Sequence, residues 1–293
     1  MSVALPIFLL LALPLGVLAW LTWSWWRFRA YHRHKALVVD VPAGVMVRGI
    51  LAETGAVMTL LWWQLRAFGR DPLRQPSHAR ADARPVLCVH GIVQNGTNMW
   101  GIRQALETRG RPTRAVSLGR LRLRLHAYMP ALERGFRELA ALSPDGKVDV
   151  VAHSMGGVIL RMVLAAHPEL APHVGRVVTL GSPHAGTAAA RGMPLTVVRD
   201  LGRRSKILPD LPGFPEHAEV VTVTGGLDFV VYPNPTSHLP GGRVLHFPQV
   251  GHTGLLARAE VIAAVVEALE GVQSPSKSQA LTYPSPTAWI SRS

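Results

Sequence analysis

The stretch Val148-Asp149-Val150-Val151-Ala152-His153-Ser154-Met155-Gly156-Gly157-Val158-Ile159-Leu160 decides the fold. Up to Ala152 it is an apolar run of β type, and from Met155 it carries a helical apolar pattern. One serine stands between the two, among small residues. A chain that turns from strand to helix within three residues strains its central residue and needs small neighbours, because bulk would meet the helix backbone. This is the nucleophile elbow, G-x-S-x-G in general form, with Ala152, the next smallest residue, in place of the first glycine. Such a turn lifts the Ser154 hydroxyl above the strand ends. A plain strand-turn-helix with a chance serine has the same local pattern, so the reading depends on partners elsewhere.

Working outward, the 293 residues leave room for one sizeable domain with appendages. The formal net charge is +13. All but four of the 31 basic residues are Arg, and no nucleic-acid-binding motif lies beside them, which argues against a nucleic-acid partner. A surface facing anionic lipid accounts for the sign equally well. The single cysteine, Cys88, excludes an internal disulfide and reads as core packing within an apolar strand.

Before the elbow come two apolar stretches. Val3 to Trp26 is an uncharged run of 24 residues; at ~1.5 Å per residue a helix of that length crosses a ~30 Å hydrocarbon core. Trp20, Trp23, Trp25 and Trp26 fit an interfacial belt, and Arg27, Arg29, Arg33 and Lys35 follow, placing the C-terminal side in the cytoplasm by the positive-inside tendency. A cleaved signal peptide would have a basic start and a shorter apolar core. Residues 1–35 therefore read as an uncleaved transmembrane anchor with a basic flank. The segment 36–84 combines an apolar part, Ala36 to Phe68, with a polar linker from Gly69 to Arg84. Three readings stand for the apolar part. It is an interfacial helix with Trp62 and Trp63 at the headgroups, a second span, or a helix packed on the soluble domain. Arg48 and Glu53 weigh against the span at roughly 2.5–3.5 kcal/mol each, so the catalytic domain is expected on the cytoplasmic side.

The domain proper runs over 85–271. Buried strands are expected at Val86 to His90, Thr113 to Leu118, Val148 to Ala152, Val174 to Leu180, Ala218 to Thr224 and Arg243 to Phe247. Helices are expected at Trp100 to Arg109, Leu125 to Leu142, after Ser154, and at Leu255 to Leu269. Strands alternating with helices predict an α/β fold, a mostly parallel sheet with helices on both faces. Ala188 to Pro215 is mixed and reads as a cover over a pocket. The tail, 272–293, is rich in Ser, Pro and Thr from Gln273 and reads as disordered.

A nucleophilic serine needs a base, and the base an orienting acid. Asp228 stands directly after the strand ending at Thr224, where an open α/β sheet delivers its functional groups. Asp200 and Asp210 fall in the cover, and Asp149 lies on the elbow strand rather than on a loop. Among later histidines, His246 is inside a strand and His238 in a Pro/Ser loop. His252, in Val250-Gly251-His252-Thr253-Gly254, sits on a glycine-flanked loop between the last strand and the last helix, and is the base chosen. Two backbone N–H groups should hold the oxyanion, one from Met155 and the other from Ile92 in the loop after the first buried strand. His90 and His153 read as structural.

Taken together, Val89-His90-Gly91-Ile92, the elbow, Leu227-Asp228-Phe229-Val230-Val231 and Val250-Gly251-His252-Thr253-Gly254-Leu255-Leu256 resemble the bacterial triacylglycerol lipases and esterases of the α/β-hydrolase superfamily. Gly181-Ser182-Pro183-His184-Ala185-Gly186-Thr187 is similar to a segment of their larger members. The resemblance covers roughly residues 85–271. It implies the α/β-hydrolase fold and hydrolysis of lipid or other carboxylic esters by Ser154, Asp228 and His252 without a cofactor. Some members bind structural calcium, but no ligands for it are placed here, and no metal site is expected. The membrane anchor departs from the usual secreted lipases. A lipid acyltransferase using the same triad, and a non-catalytic membrane scaffold on a hydrolase fold, are the rival readings. Oligomeric state is not legible.

Overall fold

The computed structural model describes residues 4–34, 41–66, 73–74, 80, 82–119 and 121–272. The expected disordered tail from Gln273, and much of the expected linker, lie outside the described residues. In chain order the elements are α1 (Ala4–His34), α2 (Ala43–Arg66), β1 (Leu73–Arg74), β2 (Val86–Val89), α3 (Trp100–Thr108), β3 (Thr113–Val116), α4 (Met129–Leu142), β4 (Val148–His153), α5 (Met155–Ala166), β5 (Val174–Leu180), α6 (Thr196–Asp200), β6 (Val220–Gly225), β7 (Arg243–Phe247), α7 (Gly254–Ala257) and α8 (Ala259–Glu270).

The strands form one sheet in the order β1-β3-β2-β4-β5-β6-β7. Every neighbouring pair is parallel except β1 with β3, where Leu73 faces Arg114 and Arg74 faces Thr113. Two residues of a stretch read as linker thus form an edge strand, too short to show a periodicity of its own. The central strands are buried on both faces, which is why β2, β4 and β5 read as near-continuous Val/Leu runs rather than alternating ones. One core lies between the sheet and α4 and α5, with Leu132, Phe136, Val158 and Ile159 at its centre. The other lies under α3 and α8, with Ile102, Leu106, Val261 and Val265. Cys88 belongs to this second core; burial pushes its thiol up to about 12, so it is inert packing. The closing helix expected at Leu255 to Leu269 is broken at Arg258, whose extended backbone separates α7 from α8.

Packing does not stop at residue 85. On α2 the buried residues are Gly49, Ile50, Glu53, Ala56 and Leu60, a stripe at helical spacing that faces the rest of the chain. Leu60 enters the second core, and Trp63 packs beside it. Polar contacts fix the register. Gln64 Nε2 donates to Asn98 Oδ1 at 2.7 Å, and Asn98 Nδ2 donates to the Leu60 carbonyl at 3.4 Å. Of the three readings left open for residues 36–68, a helix packed on the soluble domain describes α2 as it stands. By length and composition, Ala43–Leu65 is also the helix among the described residues that could cross a membrane.

α1 is one continuous helix of 31 residues. Leu21, Ser24, Phe28 and His32 are buried along one side, while Trp20, Trp23 and Trp26 are exposed on the other. The buried side docks on the loop after β6. Phe28 packs edge-on against Phe229 and Tyr232, with ring centroids 5.3 Å apart in each case. Arg27 Nη2 donates to the Arg191 carbonyl at 2.6 Å and Arg203 Nη1 to the Tyr31 hydroxyl at 2.6 Å, tying α1 to the segment that covers the sheet's C-terminal edge.

Candidate active site

Ser154 joins β4 to α5 with φ 55° and ψ −124°, a left-handed backbone that a residue with a side chain adopts only under strain. The turn is held by the Ser154 N–H, which donates to the Leu180 carbonyl of the neighbouring strand at 2.8 Å. Its small neighbours are needed sterically. A Cβ on Gly156 would stand 2.9 Å from the carbonyl oxygens of both Val89 and His90, so α5 could not approach β2 with any larger residue there.

The next strand end supplies the space for two more groups. Gly181 has φ 54°, and a Cβ on it would lie 3.0 Å from His252 Nδ1 and 3.1 Å from Asp228 Oδ2. Into that space Asp228 and His252 converge from loops 24 residues apart, and His252 Nδ1 donates to Asp228 Oδ2 at 2.7 Å. The other Asp228 oxygen accepts the N–H groups of Val230 and Val231 at 2.9 and 2.7 Å, so the carboxylate is oriented on both sides. Burial alone would lower the His252 pKa, but the Asp228 carboxylate, followed by Glu53, raises it above the ordinary imidazole value. The bond to Asp228 fixes the proton on Nδ1 and leaves Nε2 free to act as a base.

The rejected candidates are placed elsewhere. Asp149 is at the opposite end of β4 in a buried ion pair with Arg111, at 2.7 Å, and accepts the Arg176 N–H. Asp200 is 3.7 Å from Arg124, and Asp210 is exposed in the cover. His246 Nδ1 faces the Thr224 hydroxyl at 3.0 Å. His90 accepts the Leu118 N–H on Nε2 at 2.9 Å and donates from Nδ1 to the Gly91 carbonyl at 2.7 Å; burial pushes its pKa down to about 4, so it is neutral and braces its loop.

Met155 opens α5, so its N–H is among those with no acceptor inside the helix. Ile92 and Ser154 line the same cavity. Beside Ile92, Val93 has φ 58°, and it and Ser154 are the non-glycine residues with positive φ among those described. Both border the cavity. A residue that sequence reasoning passed over, Gln94, organises this loop: its Oε1 accepts the Gly91 N–H at 2.7 Å and lies 3.1 Å from His153 Nδ1. His153 Nε2 is 3.1 Å from the His252 carbonyl. Burial keeps the His153 ring neutral, and a neutral ring has one N–H, so only one of these two contacts is a hydrogen bond. Nothing in the local sequence marks Gln94, because its partners are brought by the sheet.

The cavity measures about 250 Å³. Its walls are almost wholly apolar: Ala190, Leu195, Val198 and Leu201 from the cover, and Phe229 and Val231 from the loop carrying Asp228. A further side is α1, through Trp20, Trp23, Ser24 and Arg27. The stretch read only as an anchor and its flank thus forms part of the pocket. Arg161, from the elbow helix, holds the cover in place. Its guanidinium donates to the carbonyls of His184, Pro212 and Leu211, and burial lowers it to about 10. Thr187, at the end of the Gly181–Thr187 loop, donates to the Val230 carbonyl at 2.8 Å and ties this loop to the Asp228 loop.

Strand order, elbow and strand-end cluster define an α/β-hydrolase fold. A model of the family described as "PGAP1-like alpha/beta domain" matches residues 133–243, from α4 to the first residue of β7. Among solved structures, lipase BlEst2 of Bacillus licheniformis in its mature form superposes with a TM-score of 0.57 at 18% identity, covering 67% of this chain and 96% of that one. Lipase B of Aspergillus fumigatus gives 0.59 at 17% identity over 70% of this chain and 58% of its own. A soluble variant of monoglyceride lipase from Saccharomyces cerevisiae gives 0.51 at 13% identity over 68% and 89%. At such identities the likeness is one of fold.

Proposed function

We propose that the protein is a membrane-anchored serine esterase of lipase type, which hydrolyses carboxylic esters of lipids through an acyl-enzyme. The observation that carries this reading is the 2.7 Å bond from His252 to Asp228, beside a serine on a strained elbow at the floor of an apolar cavity. His252 Nε2 takes the Ser154 proton as the hydroxyl oxygen attacks the acyl carbon. The N–H groups of Met155 and Ile92 receive the oxyanion, and the Asp228 carboxylate stabilises the imidazolium. His252 then protonates the leaving alkoxide, and water repeats the sequence to release the acid. The likeness in fold to two lipases and a monoglyceride lipase supports the ester as substrate.

The pocket argues for an acyl chain rather than a polar acid. At about 250 Å³ it falls below the usual ~300–1,000 Å³ of small-molecule sites, which suits one chain and leaves the alcohol part outside. Trp20 and Trp23 line the cavity and are also half exposed. Tryptophans in that position belong to the headgroup level of a bilayer, so the ester would reach the serine from the lipid side, with the catalytic domain in the cytoplasm.

The test is hydrolysis of p-nitrophenyl esters of graded chain length by the full-length protein in detergent, with product analysis in the presence of an alcohol. A rise in kcat/KM from acetate to medium-chain esters, with free acid as product, is expected. No hydrolysis at any length would refute the reading, and transfer to the alcohol as the main product would replace it by acyl transfer.

A further inference from the structure

We propose that Glu53, on α2, is a positioning residue that holds the loop of the catalytic histidine and adds a second negative charge behind its imidazole. The proposal rests on the triad reading above. Glu53 is 4% exposed, and both of its carboxylate oxygens are engaged by the two residues that follow His252. The Thr253 N–H donates to Oε1, and the Gly254 N–H donates to Oε2 at 2.9 Å. Some 200 residues separate the partners in the chain.

The loop is shaped around this carboxylate. A Cβ on Gly251 would run into Glu53 Oε2, and one on Gly254 would lie 3.1 Å from it. Gly251 and Gly254, which flank His252 and Thr253, make room for Glu53. A buried carboxylate is a costly way to satisfy two N–H groups if satisfaction is all that is needed. A neutral acceptor would do that without the charge. The charge has a use in the transition state, where His252 becomes an imidazolium.

The electrostatic surroundings agree. Around His252 stand Asp228, Glu53 and the neutral ring of His153, 4.7 Å away centroid to centroid. Burial pushes the Glu53 pKa up, and the two N–H groups and the positive form of His252 oppose that. Arg258 also approaches this loop, but its guanidinium pairs with Glu260 at 2.8 Å. Glu53 is the second of the carboxylates that raise His252, after Asp228.

The experiment compares Glu53→Gln and Glu53→Asp with the wild type in the full-length protein. It reads kcat and KM on a short-chain ester, the pH profile of kcat/KM, and the NMR titration of the His252 imidazole. In Glu53→Gln one oxygen becomes an NH₂ facing an N–H, so the loop shifts and the charge is lost. We expect kcat to fall on the order of 10²-fold, the cost of an ångström of misplacement, with KM little changed. The acid limb and the His252 titration should both move to lower pH. Glu53→Asp keeps the charge but not the reach, so kcat should fall less and the limb should stay closer to the wild type. A folded Glu53→Gln with kcat within about threefold of wild type, well inside what a displaced supporting group costs, overturns the proposal. So does a lower rate with an unmoved His252 titration, which would make Glu53 merely structural. If Glu53→Gln does not fold, Glu53→Asp decides: reduced kcat with the His252 titration moved part of the way to lower pH supports the role, and wild-type kcat or an unmoved titration overturns it. A wild type that hydrolyses no ester defeats the triad reading instead, and the titration, which needs no turnover, still decides whether Glu53 and His252 are coupled.

Discussion

The C-terminal edge of the sheet and the two N-terminal helices both contribute to the candidate site, by different means: α1 lines the cavity, and α2 meets the His252 loop. At the sheet edge each group is fixed by local backbone. Ser154 is set by a strained turn, and Asp228 by a loop that folds back on its own carboxylate through the Val230 and Val231 N–H groups. From α1 and α2 the groups arrive by docking, through Phe28 between Phe229 and Tyr232, and through Glu53 beneath the His252 loop. The difference teaches where chemistry and selectivity should separate. Damage at the sheet edge should abolish turnover, whereas damage at the helices should retune it.

The largest effect is expected at the elbow. Ser154→Ala should lower kcat by about 10⁶, as in other triads where the three groups act as one unit. The melting temperature should hold or rise, because the strained residue loses only a hydroxyl. Asp228→Asn should follow, with a loss of roughly 10⁴ in kcat from the wrong imidazole tautomer. In the double variant with Ser154→Ala it should add nothing. Measured additivity would separate the two residues into independent roles and break the sheet-edge half of the comparison.

Smaller and differently shaped effects should come from the helices and the cover they meet. Ala190 is buried on the cavity wall, in the part of the cover that meets α1. Ala190→Trp should fill the space, lowering kcat/KM for medium-chain esters by tenfold or more while sparing acetate, since each displaced methylene is worth about 1–3 kcal/mol. Removing residues 1–35 takes away the Trp20 and Trp23 wall and should flatten the chain-length profile without removing acetate hydrolysis. An unchanged profile would reduce α1 to an anchor.

The pH dependence carries the mildest signal. His252 must be neutral to act as a base, and its folded pKa is raised. Activity should therefore be lost as pH falls through a value above the ordinary ~6.5 of imidazole. Stability should follow other histidines. His90 is depressed to about 4 in the fold, so its contribution is complete above the unfolded value and is lost as pH falls from there through about 4. That loss amounts to roughly 3 kcal/mol. Thermal melts from pH 7 to pH 4 should show a shallower slope in His90→Asn than in wild type, the remainder coming from the other buried histidines, His153 and His184 among them.

The elements that can be read from the chain are those whose signal is local. Val174–Leu180 and Arg243–Phe247 form strands at the residues where the apolar run meets turn formers. The elbow is legible because strand, serine and small residues are contiguous, and Asp228 because it directly follows a strand. What is not legible depends on contacts across the chain. Glu53 interrupts an apolar helix and counts, in sequence, as a charge that insertion would penalise. Only the fold supplies the two N–H groups that donate to it. Gln94 is one polar residue in a polar loop until β2 and β4 bring Gly91 and His153 to it. α1 has the composition of a span because one of its faces meets apolar protein and the other is tryptophan-rich. The pattern alone does not tell a lipid face from a protein face.

The central claim is that the Ser154 Oγ is the atom to which an acyl group is transferred, inside a pocket walled in part by α1. The direct measurement is mass spectrometry of the full-length protein after reaction with a long-chain fluorophosphonate, with the adduct mapped by peptide. The account predicts one adduct per chain, on the peptide containing Ser154. It should be absent in Ser154→Ala and markedly slower with the probe's short-chain analogue. An adduct on another residue, or labelling of Ser154→Ala at the wild-type rate, would contradict it.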